Sequence, residues 1–149
     1  MGRTEGGLPE GPRTGRIGLA VSWSDADKAY ALIDNLNKKD KLTAEVHRTL
    51  DGGRSWSRTH EEELLIFRGI GWYFAGCYVN PKDDEEVFAL GVCLAHSTEG
   101  GRIFKLVGGD GCYTARNYVF KSLTGATTGG RNTREGDLCD EPAAHPGSL

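Results

Sequence analysis

No apolar run in this sequence is long enough to cross a bilayer as a helix, so a helical membrane span is excluded and no membrane partner is expected. Net charge is also scarce. Eighteen Lys and Arg stand against 21 Asp and Glu, a balance of −3, with both signs mixed along the chain. A nucleic-acid binder gathers its basic residues on one face, so nucleic acid is excluded as the main partner. The nearest basic run, Lys38, Lys39 and Lys41, is interrupted by acidic residues and reads as a solvated loop tip. Cysteine is present only four times, at Cys77, Cys93, Cys112 and Cys139, with no zinc or redox spacing. Cys77 and Cys93 sit in strand-like apolar contexts and read as buried free thiols rather than a disulfide. His47, His60, His96 and His145 are scattered without metal-ligand spacing, so no metal and no cofactor are expected. Sustained 3.6-residue periodicity is missing, which excludes long amphipathic helices. The stretch Met1 to Arg16 is rich in Gly, Pro and Arg and lacks an apolar segment; it is not a signal peptide, and the compartment stays open. After Phe120 there is no aromatic residue. Thr124 to Leu149 has too few large apolar side chains to offset chain entropy and is expected to be disordered.

What is present is repetition. Val21-Ser22-Trp23-Ser24-Asp25, followed by Ala29-Tyr30-Ala31-Leu32, recurs 58 residues later. The copy is Val79-Asn80-Pro81-Lys82-Asp83, followed by Val87-Phe88-Ala89-Leu90. Each copy reads as an apolar strand, a polar turn and a second apolar strand. A second pair follows at an offset of 48, Thr49 to Trp56 matching Ser97 to Phe104. Asp34 to Thr43, polar and rich in Asn, Lys and Asp, accounts for the difference and reads as a long loop. The expected strands of the first repeat are Ile17–Ser22, Ala29–Ile33, Ala44–Thr49 and Ser55–Thr59. Those of the second are Tyr73–Val79, Val87–Leu90, Val92–Ser97 and Ile103–Val107. Glu61 to Phe67 reads as the connection between repeats. Four antiparallel strands per repeat of about 40–50 residues is the spacing of a propeller blade.

Thr49-x-Asp51-x-Gly53-x-Ser55-Trp56 fits the Asp-box pattern, Ser/Thr-x-Asp-x-Gly-x-Ser/Thr-Trp/Phe. The chemistry is local. The Asp carboxylate accepts N–H groups of a tight turn, the glycines permit positive φ, and the ring anchors the hairpin. These residues therefore read as structural, not catalytic. In the second copy, Ser97, Glu99, Gly101 and Phe104 hold the matching places, but Glu99 replaces Asp and Ile103 replaces the hydroxyl residue. The longer Glu side chain is expected to disturb the same turn bonds.

With these motifs, Gly15 to Ser22 and Tyr30 to Ile33, and likewise Gly71-Trp72-Tyr73-Phe74 running into Val79 to Lys82, the chain resembles bacterial neuraminidase-repeat propellers. The wider group includes sortilin-like domains, sialidases and xyloglucan-cleaving glycoside hydrolases. The resemblance covers Leu8 to Gly109. It implies an all-β fold of two four-stranded antiparallel blades, a partial propeller. Residues 1–14 would be a connector from a preceding blade, 15–60 the first blade, 61–70 the inter-blade connection, 71–109 the second blade, and 110–149 a divergent tail. The composition changes abruptly after Gly109-Asp110, as a frameshift or a mis-assigned gene end would produce. Relatives of this kind are often exported.

Two functions follow from the resemblance: a non-catalytic propeller module that binds protein or glycan, or a fragment of a glycoside hydrolase. The hydrolase needs two placed carboxylates, and only Asp110 is nominated. Trp72 and Tyr73 are the glycan-binding candidates; the alternative is that rings of Trp72, Tyr73 and Phe74 pack between blades. Glu61, Glu62 and Glu63 read as a solvated run, and Asp83 to Glu86 as a turn. Blade faces left bare would expose apolar groups, with Tyr30, Trp56 and Phe88 as candidates. The expected partners are missing blades or further copies of the chain.

Overall fold

The computed structural model describes residues 6–38 and 43–107. Lys39, Lys41, Cys112, Cys139, His145, Asp110 and the expected disordered tail lie outside them. The described residues form eight strands and no helix, in two separate four-stranded antiparallel sheets. The first contains β1 (Thr14–Val21), β2 (Ala29–Asn35), β3 (Thr43–Thr49) and β4 (Ser57–Arg58) in that spatial order. The second contains β5 (Gly76–Asn80), β6 (Asp83–Leu90), β7 (Leu94–Ser97) and β8 (Lys105–Val107), again in sequence order. Each sheet is thus a meander, the arrangement that short turns between alternating apolar segments produce. The 58-residue repeat appears directly in the pairing: Ala20 faces Tyr30 in the first sheet and Tyr78 faces Phe88 in the second.

The core lies between the sheets. Tyr30, Leu32, Ala44 and Val46 of the first sheet meet Cys77, Val79, Val87, Ala89 and Ala95 of the second. Leu64, Ile66 and Phe67 of the connection close the outer side. At the inner side there is no room for side chains. A Cβ on Gly18 would lie 2.9 Å from the Ala75 carbonyl carbon, so β1 and the start of β5 touch backbone to backbone. A smaller cluster, Phe88, Leu90 and Leu94 with Val107, sits on the second sheet's far face.

Several expectations need correction. Tyr30 and Phe88 are fully buried. Period-2 alternation puts Tyr30 on the seam side, and Phe88 belongs to the far-face cluster, with its ring stacked on His96 at 4.6 Å. Trp56 is half-buried, and on the face of β1 turned away from the second sheet Ile17, Leu19 and Val21 are bare. Asp34 is not in a loop; β2 continues through it to Asn35. Asp83 to Glu86 are not a turn but the first half of β6, tolerated in a strand because Lys28 and His96 pair with them. Lys38 is not simply solvated; its Nζ lies 2.5 Å from Glu45 Oε1. Cys77 is a free, buried thiol, pushed up to about 12 by burial, whereas Cys93 is disulfide-bonded. An apolar strand position suits either state, so sequence context cannot separate them.

Candidate functional site

Antiparallel meanders sort their loops onto two ends. One end carries the β1–β2 and β3–β4 turns; the other carries the β2–β3 loop and the connection into β5. Contacts between the sheets keep like ends together. At the first end, Lys28 Nζ reaches Asp84 Oδ1 at 2.7 Å and also pairs with Glu85, while Tyr30 Oη donates to the Asp84 carbonyl at 2.8 Å. Ser22 and Ser24 hydroxyls add two bonds to the same Asp84 carboxylate, each 3.1 Å. Lys28 holds the Asp84 carboxyl below its usual range, with the serine hydroxyls assisting. Sequence reading missed this cross-sheet clamp because its partners are 56 residues apart.

The Thr49–Trp56 turn lies at the same end. Asp51 receives the Ser55 N–H at 2.9 Å, the Ser55 hydroxyl at 2.5 Å and the Thr49 hydroxyl at 2.7 Å. Thr49 Oγ1 accepts the Asp51 and Gly53 N–H groups in return. Gly52 and Gly53 take φ of 70° and 86°, which L side chains resist. Trp56 donates its indole N–H to the Gly53 carbonyl at 3.2 Å. The Ser55 and Thr49 bonds hold the Asp51 carboxyl far below its usual range. In the second turn, Ser97 Oγ accepts the N–H groups of Glu99 and Gly101, repeating the part of Thr49. Glu99 does not repeat the part of Asp51; its carboxylate turns outward to Arg102. Phe104 packs on the inter-sheet core and meets the His60 ring edge-on at 5.6 Å.

The other end is chemically different. Trp72 and Tyr73 are 67% and 60% exposed and stand edge to face at 5.7 Å, with Phe74 continuing the row at 4.8 Å from Tyr73. Neither of the first two rings packs between the sheets. The segment is a tight turn: Ile70 N–H binds the Phe67 carbonyl, and the N–H groups of Tyr73 and Phe74 bind the Ile70 carbonyl. Arg16 of β1 fixes it from the side, Nη1 donating to the Tyr73 carbonyl at 2.8 Å. A small cleft beside it is lined by Arg16, Tyr73, Phe74 and Tyr78. The structure therefore brings Trp72 and Tyr73 together in the open, away from both Thr49–Trp56 and Ser97–Phe104.

A larger groove of about 510 Å³ runs along the outer rim, between Arg58, His60 and Glu62 on one wall and Arg102 and Ile103 on the other. His60 is not free for chemistry there. Its Nε2 accepts the Val46 N–H at 3.0 Å and its Nδ1 donates to the Glu62 carbonyl at 2.8 Å, and burial pushes its pKa down.

No family model matches the chain, and no curated protein matches it. Solved structures do. A GH74 enzyme from Niastella koreensis superposes with a TM-score of 0.51 at 19% identity, over 66% of this chain and 15% of that one. A GH74 xyloglucanase from Xanthomonas campestris gives 0.46 at 21% identity, over 60% of this chain and 13% of its own length. The fold is that of a β-propeller sector. Its two sheets are blades, and the chain spans about 15% of the first enzyme it matches.

Proposed function

We propose that the chain is a non-catalytic sector of an Asp-box propeller, of the neuraminidase-repeat and sortilin-like kind, that holds a glycan or a protein segment on the end bearing Trp72 and Tyr73. The observation that carries this reading is the aromatic ledge itself. Two adjacent large rings are left open to solvent, and the Arg16 bond to the Tyr73 carbonyl fixes their backbone from the side. Rigid exposed aromatics supply apolar contact at low entropic cost, which suits the faces of sugar rings. The Asp-box turns serve the fold, because the Asp51 carboxylate is already engaged by Ser55 and Thr49. The bare β1 face, with Leu19 at 65% exposure, is the docking side for a further blade or another copy.

A hydrolase fragment is the second reading, favoured by the likeness of fold to GH74 enzymes. It requires two carboxylates at about 5–9.5 Å across a bound sugar. Assays against xyloglucan and sialylated substrates, run beside size-exclusion with light scattering, separate the two. The expected result is no turnover, with retention on an immobilised xyloglucan column that is lost in Trp72→Ala. Turnover by a clean monomer would establish the hydrolase reading instead.

A further inference from the structure

The two flanks of the chain do not fit each other. On β1, Gly18 and Ala20 turn toward the second blade, whereas Ile17, Leu19 and Val21 turn away from it and are open to solvent. Alternate residues of a strand stand about 7 Å apart, so these three side chains form one apolar stripe. The opposite flank has no matching stripe among the described residues: Phe88, Leu90 and Leu94 are already buried there.

Charge separates the flanks as well. The clamp across the seam joins Lys28 and Tyr30 of the first blade to Asp84 and Glu85 of the second. At the 58-residue offset, Glu86 and Phe88 hold the places of Lys28 and Tyr30, and Ala26 and Asp27 hold those of Asp84 and Glu85. A second copy stacked on the first as blade stacks on blade therefore sets Glu86 near Asp27. It also finds neither the tyrosine hydroxyl nor the Asp84 carboxylate. Head-to-tail stacking loses the clamp and adds a repulsion, and it is the kind of contact that extends without closing.

The β1 stripe, by contrast, matches itself. Leu19 stands midway between Ile17 and Val21. A two-fold axis through Leu19 lays the strand of one copy antiparallel to that of the other, so residues equally far before and after Leu19 meet. Leu19 then meets its own copy, and Ile17 meets the partner's Val21. Further out, the segment carrying Arg13 and Arg16 comes to the partner's β1–β2 turn, which carries Asp25 and Asp27. All four are exposed, and none has an ion pair among the described residues. Arg16 donates to the Tyr73 carbonyl, and Asp25 accepts the Asp27 N–H. The antiparallel arrangement thus sets two cations against two anions, once on each side of the axis.

We propose that two copies of this chain pair through β1, antiparallel about a two-fold axis at Leu19, with Ile17 against the partner's Val21 and Arg13 near the partner's Asp25. The pair is closed at two, because the stripe is used up on both chains. This rests on the reading of the β1 face as a docking side and commits that side to a second copy.

The test uses the full chain. Leu19→Cys puts a thiol on the axis, facing its own copy, and mild oxidation should convert it to a covalent dimer well above the level of the parent under the same oxidant. Ile17→Cys alone and Val21→Cys alone should stay at the parent's level, while an equal mixture of the two should cross-link. A Leu19→Cys chain that does not cross-link above the parent, or Ile17→Cys that cross-links with itself as well as the mixture does, overturns the pairing. Charge gives an independent check. Asp25→Arg should raise the dimer dissociation constant roughly tenfold in sedimentation equilibrium, since two exposed contacts turn repulsive. Arg13→Asp should do the same, and the two substitutions together should restore the parent's value. A combined variant no tighter than either single one overturns the pairing. Thermal melts of all these variants should match the parent's, because the altered side chains are exposed. Light scattering decides the occupant: a mass that stops at two chains is expected. A series that grows with concentration favours head-to-tail stacking, a monomer at every concentration removes the second copy, and either overturns the proposal. Retention on xyloglucan through Trp72 is read separately, so failure of the pairing and failure of the ledge reading are distinct results.

Discussion

Glu45 shows how much of this molecule's electrostatics sits in single buried residues. It is 3% exposed, accepts the His47 Nε2 proton at 3.2 Å and pairs with Lys38 at 2.5 Å. The His47 bond, with Lys38 behind it, holds its pKa at about 2 against a usual value of 4.5. A depressed carboxyl stabilises the fold above its unfolded pKa and stops doing so as the pH falls through its folded one. Stability should therefore drop between about pH 4.5 and pH 2, as thermal melts across that range would record. Glu45→Gln should flatten this acid limb and cost about 3 kcal/mol at neutral pH by leaving Lys38 and His47 without their anion. Asp51 acts on a smaller scale. Asp51→Ala frees the Ser55 N–H and both hydroxyls, and calorimetry should show a melting temperature lower by a few degrees. An unchanged temperature would remove Asp51 from the turn's support. The turn residues were legible in the sequence because all their partners lie within eight positions of one another. Asp34 and Glu45 were not, because what surrounds them comes from elements that only the fold brings near.

At the scale of the strand, the 58-residue offset revealed both hairpins, since alternation of apolar residues is a local property of each segment. It failed where charge entered a strand. The first half of β6 carries Asp83, Asp84, Glu85 and Glu86, and no propensity argument puts four acids in a sheet. Lys28, buried at 6% exposure on the other blade, holds Asp84 and Glu85 there, and His96 holds Glu86. Replacing Lys28 by Met removes the cation but keeps the stem, leaving the neighbouring Asp84 and Glu85 of β6 against the seam without their counter-charge. Lys28→Met should cost about 2 kcal/mol in chemical denaturation, and most of that loss should vanish in acid, where the two carboxyls are protonated. Gly18 is the matching feature of backbone. Gly18→Val would drive its side chain into the Ala75 carbonyl and should cost about 1–3 kcal/mol by forcing the blades apart. A stability equal to the parent's would mean that the seam can open at no cost.

For the whole molecule, the two outer faces are not equivalent. The far face of the second blade carries a buried cluster around Phe88, whereas the first blade leaves Ile17, Leu19 and Val21 at 47%, 65% and 54% exposure. Light scattering against concentration should show self-association, and Leu19→Lys should suppress it without lowering the melting temperature, because that side chain supports nothing inside the blade. Equal association by the variant would place the contact elsewhere. The seam itself has a shape. At its inner margin the blades meet through Gly18 and the Ala75 backbone, with no side chain between them; at its outer margin Leu64, Ile66 and Phe67 fill the gap. Sheets that touch at one margin and are propped apart at the other cannot stack in a straight column. Each addition turns by the same angle, so repeated copies of this seam trace an arc, and the bulk at position 18 sets its radius. A single methyl there would open the narrow margin, flatten the arc and change how many blades a closed circle takes.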